Sequence, residues 1–85
     1  MHIVTYTLAA GTNTVPLMQG KRFVRAATAT GVMVSLSYGN AAGQEMRLAV
    51  SQFGYEPYSP IYVDEGDYLT LSVAAATTLS IGYVE

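Results

Sequence analysis

Four aromatic side chains crowd into ten residues: Phe53, Tyr55, Tyr58 and Tyr62, set around Pro57 and Pro60. Tyrosine combines a large contact area, few rotatable bonds and a polar tip, which suits it to recognition. Three uses fit this cluster: contact with another protein, a cap over the open end of the domain's own core, and a stacking platform for a sugar. A second group is basic. Lys21, Arg22 and Arg25 are three of the four cations in the chain. Strict strand alternation predicts Lys21 and Arg25 on one face and Arg22 on the other. They could pair with an acidic protein surface, with the Asp64, Glu65 and Asp67 loop of a neighbouring copy, or with phosphate, or simply solvate a strand end. The third group is that acidic loop. Its three carboxylates are hard oxygen ligands of the kind calcium takes. Their spacing is not that of an EF-hand loop, however, and a polar hairpin turn containing Gly66 is the expectation.

Catalytic chemistry has little to work with. His2 is the only imidazole and there is no cysteine. No nucleophile and base stand at a recognisable spacing, so the expectation is a protein that is not an enzyme, with no cofactor and no metal. A formal net charge of −2 argues against a nucleic-acid partner. No apolar run approaches the ~20 residues of a membrane helix, so no membrane partner is expected. The N-terminus reads directly as a strand with no basic leader, which predicts synthesis in the cytoplasm without a signal peptide. With 51% hydrophobic and only 12% charged residues, much uncharged surface must face something other than water. A protein partner or a homo-oligomer is the expected cover, because neither disulfides nor thiolate metal sites are open to this chain.

The elements that would carry these groups are strands. In residues 68–75 Leu69, Leu71, Val73 and Ala75 share one face, and in residues 77–84 Leu79, Ile81 and Tyr83 do. Residues 2–8 put Val4, Tyr6 and Leu8 together, opposite Ile3, Thr5 and Thr7. Residues 32–38 alternate Val32, Val34, Leu36 and Tyr38 against Met33, Ser35 and Ser37. Further strands are predicted over 14–18, 22–30, 45–51 and 61–63. Pro16 marks the second strand as an edge or an irregular segment, and residues 52–60 read as an irregular stretch. Short strands at even spacing, with Gly and Pro turns and no helix, predict one all-β domain over residues 1–85. The expected form is a compact antiparallel β-sandwich, jelly-roll-like, of about eight short strands.

The segment Ile61-Tyr62-Val63-Asp64-Glu65-Gly66-Asp67-Tyr68-Leu69 resembles the Glu-Gly-Asp turn of cupin-like jelly rolls. The cupin histidine ligands have no counterpart here, so no metal chemistry comes with the likeness. In overall style the chain resembles small virion proteins of tailed bacteriophages. It is short, cysteine-free and rich in Ala, Thr, Gly and Val, as in Arg25-Ala26-Ala27-Thr28-Ala29-Thr30 and Val73-Ala74-Ala75-Ala76-Thr77-Thr78. That resemblance implies a structural role in the virion: a decoration or cement protein, homotrimeric, that binds and stabilises a capsid shell. Its partner would be the major capsid protein or another virion protein. A tail or fibre component is one alternative, and a small carbohydrate- or ligand-binding module is another. Residue roles come from the residues themselves. The expected partner-binding groups are Ile3 and Thr5 of the first strand, Lys21, Arg22 and Arg25, and Tyr55, Tyr58 and Tyr62.

Overall fold

A computed structural model describes residues 1–85. Nine strands form, all antiparallel: β1 (His2–Leu8), β2 (Gly11–Pro16), β3 (Arg22–Thr28), β4 (Met33–Gly39), β5 (Glu45–Leu48), β6 (Gly54–Tyr55), β7 (Ile61–Tyr62), β8 (Tyr68–Val73) and β9 (Thr77–Val84). One sheet runs β1-β9-β3-β6, with β7 also on β3, and the other runs β2-β8-β4-β5. The pairing is nested. β4 pairs β5, β3 pairs β6 and β7, β2 pairs β8, and β1 pairs β9. The chain is thus one long hairpin rolled up, which is the jelly-roll arrangement, with β6 and β7 as two halves of one interrupted strand. The interruption has a local cause. Pro57 and Pro60 lie between the halves and cannot donate to a ladder, so residues 56–60 leave the sheet.

Alternation builds the core. Leu69, Leu71 and Val73 of β8 and Leu79, Ile81 and Tyr83 of β9 point inward and join Leu8, Val15, Phe23, Ala26, Met33, Leu36, Leu48 and Val63 in one buried cluster. The buried Tyr83 hydroxyl is not stranded, because it accepts the Met18 amide at 3.2 Å. Accessible surface totals 4787 Å², close to the about 4,900 Å² that mass scaling gives a folded 9.1 kDa monomer. The core therefore closes within a single chain.

Two bulges adjust the phase of the alternation. In β4 the register against β8 shifts between Met33 and Ser35, so Met33 turns inward and Val34 outward, while Leu36 is fully buried. The predicted common face of Val32, Val34, Leu36 and Tyr38 is therefore broken at Val34. In β3 the register against β9 shifts between Phe23 and Arg25, so Phe23 and Ala26 both face the core. An extra residue on one strand adds an odd step to a period of two. At β6 the backbone of Gly54 (φ +148°) passes so close to β3 that a Cβ there would lie 2.0 Å from the Ala26 carbonyl oxygen. Only glycine fits.

Phe23 is fully buried and packs within 6.4 Å of the Tyr38 ring and 6.2 Å of the Tyr55 ring. Phe23→Ala is expected to lower unfolding free energy by about 3–5 kcal/mol, whereas Tyr62→Ala, at an exposed site, should stay within about 0.5 kcal/mol of the parent. Urea unfolding followed by tyrosine fluorescence reads both.

Candidate functional site

The β3 bulge decides where the cations go. With Phe23 and Ala26 both inward, Arg22 and Arg25 both stand on the outer face of the β1-β9-β3 sheet. The expected split, Lys21 and Arg25 against Arg22, assumed an unbroken alternation and is corrected by this extra residue. Lys21 lies just before β3 and forms an ion pair with Glu85, whose carboxyl it holds below the usual range. That is the only salt bridge, so Arg22 and Arg25 face solvent without an acidic partner.

Register lays out the rest of this face. Ile3, Gly82 and Arg25 form one cross-strand row, and Thr5, Ser80 and Ala27 form the next. Arg22 is in register with Tyr62 of β7 at the far side. Ile3, Met1 and Tyr62 are exposed, while the centre of the face is built from small residues. A Cβ on Gly82 would come 3.0 Å from the Met1 sulfur and 3.7 Å from the Arg25 Cβ. The result is a shallow hollow of about 150 Å³ walled by Met1, Ile3 and Arg25, with Ser80 and Gly82 in its floor. Five of the residues anticipated as contacts, Ile3, Thr5, Arg22, Arg25 and Tyr62, are thereby gathered on one surface. Met1, Ser80 and Gly82 complete it. Sequence gave no sign of them, since small residues read only as strand filler until their neighbours across the sheet are known.

The aromatic cluster, by contrast, is divided. Tyr55 turns inward and stacks on Phe23 at an interplanar angle of 19°. Tyr58, on the loop between β6 and β7, is wholly exposed, and Phe53 is half exposed. Tyr55 thus caps the core, Tyr58 and Tyr62 remain free, and the three rings do not line up as one stacking platform.

The acidic turn is spent on structure. Asp67 is buried, and its Oδ2 accepts the Tyr38 hydroxyl at 2.7 Å and the Asp64 amide at 2.9 Å. Burial, then the hydrogen bond to Asp67, pushes the Tyr38 phenol well above its ordinary value of 10.0. No three His, Cys, Asp or Glu side chains converge as metal ligands. A cleft of about 430 Å³ opens beside this turn, between the β4–β5 loop and β7. Part of its polar lining is engaged, Asn40 with Gln44 and with the amides of Ala42 and Gln44, and Asp67 as above, while the Asp64 carboxylate and the Tyr62 hydroxyl make no hydrogen bond. On the outer face of the second sheet the Tyr68 ring lies where a Gly39 side chain would stand, and its hydroxyl donates to Glu45 at 2.9 Å. No helix is long and apolar enough to cross a membrane. Comparison with protein-family models, curated proteins and solved structures finds no match to this chain.

Tyr38→Phe removes one of the two donors that hold buried Asp67 and is expected to cost about 1–3 kcal/mol in chemical denaturation. The parent should also lose stability in alkali. A phenol that binds its proton more tightly folded than unfolded contributes fully below its unfolded value of 10.0, and that contribution is lost as pH rises toward the folded value. Thermal melts across this range should show a shallower alkaline decline in Tyr38→Phe.

Proposed function

We propose that this chain is a structural protein of a phage virion, a decoration protein that docks on the capsid shell and stabilises it. The observation that carries this reading is the outer face of the β1-β9-β3 sheet. Met1, Ile3 and Tyr62 leave apolar surface in water there, beside two arginines with no acidic partner and a centre of small residues. Methionine, aromatic side chains and arginine are the groups enriched at protein contacts, and small residues let an opposing surface come close. Full burial of each of the large apolar side chains is worth about 1.5–3 kcal/mol, before the entropy cost of association. Arg22 and Arg25 would select a shell surface that offers carboxylates.

The mechanism is passive. A protein that binds only the assembled shell shifts the assembly equilibrium by mass action, and nothing in the bound chain needs to move or react. The virion setting rests on the resemblance in composition, while the docking surface rests on the geometry.

Density-gradient banding with empty shells assembled from the major capsid protein of the same genome tests this. The chain is expected to co-band with the shells and to raise the temperature at which they rupture. The double substitution Arg22→Glu and Arg25→Glu should weaken co-banding by roughly tenfold or more without changing the melting of the free chain. A chain that stays at the top of the gradient overturns the proposal, as does one that ignores the shells and binds a glycan array through Tyr58.

A further inference from the structure

Sheet edges expose unpaired amides and carbonyls, and soluble proteins usually guard them. Three of the four edges of this sandwich are guarded. β5 is four residues long and carries Glu45 and Arg47. β6 and β7 have two residues each and are separated by the loop that holds Pro57 and Pro60. β2 ends in Pro16, which has no amide to offer, and the Asn13 side chain donates to the Gly11 carbonyl at 3.2 Å. The fourth edge, β1, has none of these devices. It is seven residues long and contains no proline and no Lys, Arg, Asp or Glu. Its register with β9 is unbroken from His2 to Leu8, so no bulge twists it away from a partner. Thr5, at its midpoint, is exposed, and Ile3 is 60% exposed.

We infer that β1 is a pairing edge and that its occupant is β1 of a second copy of this chain. A row of backbone donors and acceptors is satisfied by another extended strand, with main-chain bonds supplying the affinity. The strand is complementary to itself. Antiparallel pairing about a two-fold axis through Thr5 sets Thr5 opposite Thr5, Ile3 opposite Thr7, and Val4 opposite Tyr6 of the second copy. Between residues 3 and 7 no charge opposes a like charge, which would otherwise weaken such a pair. Threonine pairs and aromatic with β-branched pairs are favourable cross-strand neighbours. The contact is isologous and closes at two copies, so it yields a dimer in place of the trimer that the resemblance implies. It also gives the high apolar and low charged content of the chain a use, since Ile3, Val4 and Tyr6 all gain cover at the seam.

This inference does not depend on the virion reading, and its test contains no shell. Sedimentation of the purified chain from micromolar to millimolar concentration is expected to show a species of twice 9.1 kDa. Thr5→Lys sets two ammonium groups opposite each other and should return the chain to 9.1 kDa, with circular dichroism unchanged and the urea midpoint equal to that of the parent diluted to its monomer. An equimolar mixture of Thr5→Lys and Thr5→Glu should restore the doubled mass. If Thr5→Lys fails to fold, the double substitution Ile3→Lys and Thr7→Lys, which sets lysines opposite each other at both pairs flanking the axis, serves in its place. A parent chain that stays at 9.1 kDa throughout overturns the inference. So does a folded Lys variant that keeps the doubled mass, because the seam then lies elsewhere.

Discussion

Mutual burial of two inward-facing rows of side chains holds this molecule together, and every other feature is arranged around it. The chain has no cysteine and no helix, so nothing else closes an interior of this size. The rows come from β8 and β9, each lying between two other strands of its sheet. A register slip of one residue would turn Leu69, Leu71, Leu79 and Ile81 to water and bring Thr70, Ser72, Thr78 and Ser80 inside. Burial along these strands shows no such ambiguity: each inward position is buried and its neighbours largely are not. Gly82, buried beneath Met1 and Arg25, is the exception, and it belongs to the outer surface.

That constraint also shapes the candidate docking surface. β3 must give Phe23 to the core beside Tyr38 and Tyr55 and must also bury Ala26, three positions later. A regular strand cannot face the core at both, so a residue is extruded. The same bulge that serves the core places Arg22 and Arg25 together outside. Likewise the close approach of Gly54 to Ala26 anchors the start of the interrupted strand, and the residues that cannot join the ladder carry Tyr58 out into solvent. The exposed features thus follow from how the interior is filled.

Legibility in the sequence tracks how local each cause is. β1, β8 and β9 were readable from alternation alone, because a half-buried strand with no defect writes its two faces directly into residue order. A jelly-roll-like sandwich followed from strand spacing and turns, but the nested strand order did not, and β6 escaped notice. Two residues, Gly54 and Tyr55, carry no periodicity. The bulges in β3 and β4 were not readable either, since an extra residue is defined by the partner strand and leaves no mark of its own. That is why Val34 was assigned to the wrong face and why the arginines were split. Among the tyrosines, proximity in sequence suggested one shared role, and pairing with β3 gave Tyr55 a different one. The bond from Tyr38 to Asp67 spans 29 positions and had no local signature, although the turn residues around Gly66 did announce the turn itself.

The surface area of the isolated chain bears on what kind of association such a protein can make. The core side chains are buried within one chain, so a partner would meet only what lies outside them. The contacts available for this are of two kinds. Backbone groups along β1 demand an extended strand of matching length and tolerate few substitutes, which makes that contact narrow in what it accepts. The outer face beside it offers apolar side chains and two arginines on a firm sheet, which a broader range of acidic protein surfaces can meet. Because a two-fold axis normal to the sheet keeps both outer faces on the same side, pairing along β1 would set two docking faces in one plane. A target that engages one copy would then meet the second at high effective concentration, and two modest contacts would hold where one alone would let go.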